Sequence, residues 1–173
     1  MNPFSLSTFT PFAEPIARVA AIGILATAIM DVWVLLLQRL NVPTLNMALI
    51  GRWVGHLARG RVAHAAIAQA APVRRELMLG WITHYAVGIA FAGLLVATQG
   101  LDWTRSPGLL PALCVGVATV AAPWFVMQPA MGAGIAARNT PTPWRNRARS
   151  LVNHTVFGAG LYMATAAIAW AVP

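Results

Sequence analysis

Asp31 lies inside an apolar stretch, VAAIGILATAIMDVWVLLLQ at 19–38, bracketed by Arg18 and Arg39. At about 1.5 Å per residue the stretch makes a helix of about 30 Å, the thickness of a hydrocarbon core. Asp31 is then about 12 Å inside the Arg39 end. An unpaired carboxylate at that depth costs at least about 2.5 kcal/mol, so it requires a partner, a proton or a water-filled pocket. Three further apolar stretches supply candidates: His84 about 10 Å deep, Gln128 near the same face, and Asn153 with His154, the latter about 6 Å deep. Polar side chains from four helices thus share one half of the bilayer, whichever way the chain is inserted.

Three chemistries suit that set. Asp31 can pair with His84 or His154 while Gln128 and Asn153 complete a hydrogen-bond network that fixes helix packing. An acid near two imidazoles can also take up and release a proton or cation. Thirdly, His84 and His154 can ligate a metal or haem, with Gly88 and Gly158, each four residues on, leaving room for a flat macrocycle. Met30, Met127 and Met131 flank the set as soft ligands or, more simply, as filler.

The elements that must position these residues are four membrane-spanning helices, at about 18–39, 77–98, 109–128 and 150–172. The fold class is therefore all-α, a polytopic membrane protein in a single domain over 1–173. Pro123 is expected to kink or interrupt the third span near Trp124. Between the first two spans, Pro43 and Asn46 offer helix-start chemistry, and Met47, Ile50, Val54 and Leu57 recur at helical spacing opposite Gly51, Arg52, Gly55 and His56. That pattern predicts an amphipathic helix at about 46–58 on the cytosolic surface, with Trp53 as interfacial anchor. His56 and His64, eight apart, match no metal motif and are expected to be solvated. Phe4, Phe9 and Phe12 in the short tail at 1–15 can rest among headgroups.

Composition agrees. The chain is 58% hydrophobic and 9% charged, far below the roughly 25% charge of a soluble domain. Its positive balance comes from arginines placed in loops, where they meet lipid headgroups, so nucleic acid is excluded as a partner. Arg52 with Trp53 and the run Arg145, Arg147, Arg149 are the candidate headgroup contacts. Ten arginines border the loops at 40–76 and 129–149, against Arg18 and Arg105 on the other face. The positive-inside rule then makes those loops cytosolic and sends both termini outward. Cys114 sits in an apolar run and is expected to pack in the core. A weak repeat aligns THYAVG (83–88) with NHTVFG (153–158) and ATAIMDVW (26–33) with ATVAAPWF (118–125), as in transporters built from parallel hairpins.

There is no phosphate-binding glycine loop, nucleophile elbow or zinc-protease helix motif, so the sequence leans away from an enzyme. On the residues alone the leading expectation is an accessory or scaffold subunit that binds another membrane protein or itself. A small transporter or proton relay at Asp31, His84 and His154 is the alternative, and a haem- or metal-binding protein a third.

The segments ATAIMDVW, GRWVGH at 51–56, THYAVGIAFA at 83–92, APWFVMQPAMGAGIAA at 122–137 and NTPTPW at 139–144 resemble one family. It comprises small bacterial integral membrane proteins grouped as domain of unknown function 2938, and the resemblance runs from about 18 to 165. It implies a bacterial cytoplasmic membrane location and carries no activity or catalytic residue.

Overall fold

A computed structural model describes residues 10–171 of the chain. Among these residues every regular element is helical: α1 (Thr10–Arg39), α2 (Met47–Leu57), α3 (Glu76–Gln99), α4 (Leu109–Ala118), α5 (Gln128–Ala130) and α6 (Pro143–Ala171). Four helical segments are long and apolar enough to cross a membrane: Ala13–Arg39, Glu76–Gln99, Leu109–Ala130 and Pro143–Ala171. The expected tail contacts of Phe4, Phe9 and Phe12 fall on side chains outside the described ones.

Two spans begin earlier than their apolar stretches predict. α1 runs back through Arg18 because Glu14, one turn away, takes its guanidinium at 2.8 Å and removes the isolated charge that marked a boundary. α6 starts at Pro143 rather than near Ser150, so Arg145, Arg147 and Arg149 belong to its first turns and not to a loop. Hydropathy finds the buried length of a helix and is blind to polar turns that extend beyond it.

The third span is broken where Pro123 stands. α4 ends at Ala118, and residues Pro123–Met127 then form a π turn in which the Gln128 N–H reaches back to the Pro123 carbonyl. A single wide turn of this kind displaces the helix face and frees local backbone groups. Gln128 owes its direction to it.

α1 packs between α3 and α6, and α4 packs on α6. The crossings are made by glycine. A Cβ on Gly23 would stand 2.5 Å from the Cα of Ile89, and one on Gly116 would collide with Gly158. Such close approach is how helices associate where lipid gives no hydrophobic drive. Each hairpin repeats the device: the Thr27 and Thr119 hydroxyls donate to the carbonyls of Gly23 and Gly116, beside Gly88 and Gly158.

The solid core lies at one end of the bundle and comprises Ile22, Ala26, Ala92, Leu95, Ala112, Phe157, Leu161 and Ala164. Towards the other end, residues of α1, α3, the broken span and α6 line a cavity. Cys114 is exposed on the outer face of α4, not packed in the core, because the inward positions of that helix fall to Ala112 and Gly116.

α2 forms as expected, with the Asn46 side chain accepting from the Ala48 N–H at 2.9 Å. Its burial, however, corrects the expected surface helix. Ile50, Gly51 and His56 are the buried residues, so the face expected to meet water is packed against the protein. Gly51 lies against the Glu76 carbonyl and Gly80 against the Met47 carbonyl. Glycine counts as neutral in a hydropathy pattern, yet without a side chain it forms the groove a second backbone can enter. Beyond α2, the segment at 61–73 docks on the end of the third span, with His64 N–H on the Ala130 carbonyl at 2.8 Å and Ile67 N–H on the Met131 carbonyl at 3.1 Å.

Candidate functional site

The two spans carrying Asp31 and His84 are held in register by the Gly23–Gly88 crossing, about two turns from Asp31 and about one from His84. Asp31 Oδ1 accepts from His84 Nε2 at 2.9 Å, and Oδ2 accepts from the Tyr85 hydroxyl at 2.9 Å. Both the Asp31 and His84 side chains are 14% exposed. The carboxylate therefore has the partner its depth demands, and each of its oxygens is used once. Tyr85 is the member that sequence reasoning missed. Neighbours on a helix point about 100° apart, and His84 and Tyr85 reach one acid because they take different oxygens of it.

The remaining residues of the expected cluster do not bond to this triad. Asn153 Oδ1 accepts from Trp33 Nε1 at 3.0 Å, tying α6 to α1. His154 Nδ1 meets the Thr119 hydroxyl at 2.9 Å. That hydroxyl gives its one proton to the Gly116 carbonyl, so His154 Nδ1 must carry the hydrogen of this bond. Gln128 stands alone, with its Oε1 buried and without a partner among the described residues.

A cavity unites what the hydrogen bonds separate. Asp31, His84, Gln128, Asn153 and His154 all line one space of about 680 Å³ between the spans. Its walls are otherwise largely apolar, with Met30, Val34, Leu37, Phe91 and Phe157 among them. Ligand pockets are typically of this size, apolar with a few convergent polar groups. Met127 and Met131 also line it. Among the described residues no three His, Cys, Asp or Glu side chains come together as a metal cluster. His84 Nδ1 and His154 Nε2 make no hydrogen bond within the described protein.

The expected headgroup contacts need correction. Arg52 is spent inside the protein: Nε and Nη2 form a forked pair with Glu76 at 2.9 and 2.8 Å, and Nη1 donates to the carbonyls of Ala68 and Ala70. The hydrogen bond to Glu76 and its charge raise the Arg52 pKa above the ordinary value, against burial, which lowers it. Trp53 Nε1 donates to the Val62 carbonyl at 2.9 Å and its ring lines the cavity. Arg147 donates to the Ala136 carbonyl, and Arg149, on the cavity wall, to the Pro43 carbonyl and Asn146 Oδ1. Arg145 is the exposed arginine of the run, beside Trp144, which is 76% exposed. An arginine beside tryptophan reads the same in sequence whether its partner is a phosphate or a nearby carbonyl.

His56 is likewise not solvated: it is 3% exposed. Its Nε2 meets the Ala71 carbonyl at 3.0 Å and its Nδ1 meets His64 Nε2 at 2.7 Å. A carbonyl can only accept, so His56 Nε2 bears a hydrogen. The pair holds the 61–73 segment to α2.

No curated protein and no solved structure matches the chain. The second span, the broken third span, the intramembrane acid and most of the first and fourth spans fall within residues 20–168, the stretch matched by the family model described as "Protein of unknown function (DUF2938)", and the chain belongs to that family.

Proposed function

We propose that this multi-pass protein is a small-molecule carrier, binding an amphipathic ligand in the intramembrane cavity and holding its polar group at the Asp31–His84–Tyr85 triad. The observation that carries the reading is the position of Asp31 and His84, the two members of the triad that line the cavity. A carboxylate satisfied by two partners needs no cavity, yet it sits on the wall of a space of about 680 Å³. A network serving only to fix packing would be expected in the solid core, among Ile22, Leu95 and Leu161. Ionisable residues inside membranes that face a cavity mark substrate or ion pathways. The exposed apolar side chains on every span are what lipid requires, and they do not by themselves call for a partner protein.

Orientation is part of the reading. The arginine-bearing segments around α2 and at the start of α6 lie on one face, so the positive-inside rule puts that face, and the cavity's open end, in the cytosol of a bacterial inner membrane. The ligand would enter from the cytosol or the inner leaflet. The test is native mass spectrometry of protein released from its own membranes, compared with Val34→Trp, which fills the cavity one turn from Asp31. A small molecule retained by the wild type and lost from the variant is expected. Identical spectra for both, with phospholipid or detergent alone, would overturn the proposal.

A further inference from the structure

Asp31 is the one acid among the described residues that line the cavity. From α3 it faces His84 and Tyr85; from α6 the cavity receives His154 and Arg149; α2 and the broken span bring no charged group. Arg149 lies five residues before His154 at the headgroup end of α6 and is occupied by the Pro43 carbonyl and Asn146. In a medium poor in water, one carboxylate holds one positive charge beside it. Two carriers can supply that charge here. The first is a proton on His84 Nδ1, the ring nitrogen with no partner among the described residues. The second is a cation in the cavity.

We infer that the site exchanges these two, taking an amphipathic organic cation in place of the proton on His84. This rests on the cavity being a ligand site and adds the class of ligand and its coupling. The balance is simple: His84 Nδ1–H gives its proton to water, no covalent bond to carbon changes, and Nε2–H continues to donate to Asp31. Tyr85 holds the second carboxylate oxygen throughout, so the acid need not move. The rest of the cavity favours an organic cation over a bare ion. Its volume is far greater than a metal ion needs, and among the described residues no three His, Cys, Asp or Glu side chains gather on it. The aromatic side chains of Trp53, Phe91 and Phe157 offer apolar contact and ring faces that attract cations. The buried Oε1 of half-buried Gln128, without a partner among the described residues, offers an acceptor to the same ligand.

The test uses the purified full chain in mild detergent and three probes of similar shape: tetraphenylphosphonium, neutral triphenylphosphine oxide and tetraphenylborate. Calorimetric titration in two buffers of different ionisation enthalpy counts protons released. The expected result is tetraphenylphosphonium binding with proton release, at most one proton per cation, and a Kd that rises by up to about tenfold per unit as the pH is lowered, the limit for exchange of one proton. Asp31→Asn keeps the shape, its Oδ1 still accepting from His84 while its Nδ2–H donates to the Tyr85 oxygen; it should lose both the binding and the proton release while its thermal unfolding stays cooperative. His84→Gln should bind the cation with no proton released. Cation binding without proton release in the wild type would overturn the exchange. Preference for the oxide or the borate would overturn the cation class and leave the carrier reading standing. Absence of tetraphenylphosphonium binding would overturn the inference outright, whereas the carrier reading is judged separately by the native ligand of the Val34→Trp comparison.

Discussion

At the scale of single residues, the carboxylate of Asp31 shows how a membrane protein tolerates a charge. His84 and Tyr85 each satisfy one oxygen, and the two bonds come from one turn of one helix. Removing the hydroxyl isolates one of them. Tyr85→Phe should cost about 0.6–1.7 kcal/mol, the range for interhelical hydrogen bonds within a bilayer. Chemical or thermal unfolding in detergent measures this, and an unchanged stability would mean that the Tyr85 bond contributes nothing. The four acids follow one rule throughout: Glu14, Asp31, Glu76 and Asp102 each have a basic partner, Arg18, His84, Arg52 and Arg105. Only Asp31 has histidine as that partner, and histidine is the basic side chain that changes charge near neutral pH.

At the scale of helices, glycine decides where spans meet. Gly116 and Gly158 bring α4 and α6 to backbone contact, as Gly23 and Gly88 do for α1 and α3. Gly93, by contrast, has its nearest neighbour at 3.8 Å, a methyl of Val19. Gly116→Val should therefore abolish the folded state, since the incoming side chain meets the backbone of α6 and nothing flexible can yield. Gly93→Ala should leave stability equal or raise it by up to about 1 kcal/mol, the helix propensity difference. Thermal unfolding followed by circular dichroism separates the two, and equal behaviour of both variants would mean that the crossing is not held by glycine. The π turn at Pro123–Met127 is the other decision at this scale, because it places Gln128 on the cavity wall within a span that hydropathy reads as continuous.

For the whole molecule, the division into a packed end and an open end sets the direction of access. Helix α2, the 61–73 segment and the first turns of α6 gather at the cavity end and are tied by Arg52, the His56–His64 pair and Arg149. All carry arginine, so they should share one side of the membrane. With Cys114 replaced by serine, a cysteine at exposed Arg59 or Arg138 should react with an impermeant thiol reagent only after the cytosolic face is opened. One at exposed Arg105 should react in intact cells. The opposite labelling pattern would invert the topology and move the cavity's mouth to the outer side.

The amino-acid sequence by itself determined the number of spans, the break at Pro123, a helix start at Pro43 or Asn46, and the place of each polar side chain along its span. These depend on hydropathy and on rise per residue, which are local quantities. Only the tertiary structure decided which polar groups meet. Depth leaves the rotation of each helix about its axis open, so Asp31 pairs with His84 and Tyr85 while His154, at comparable depth, bonds Thr119. Tertiary contact also decided the fate of the glycine face of α2, of buried His56 and of Arg52, because a partner that lies fifteen or more residues away leaves no periodic mark on the chain. The cavity is of the same kind. It is lined jointly from α1, α2, α3, the broken span and α6, so it is a property of their packing and belongs to no helix alone.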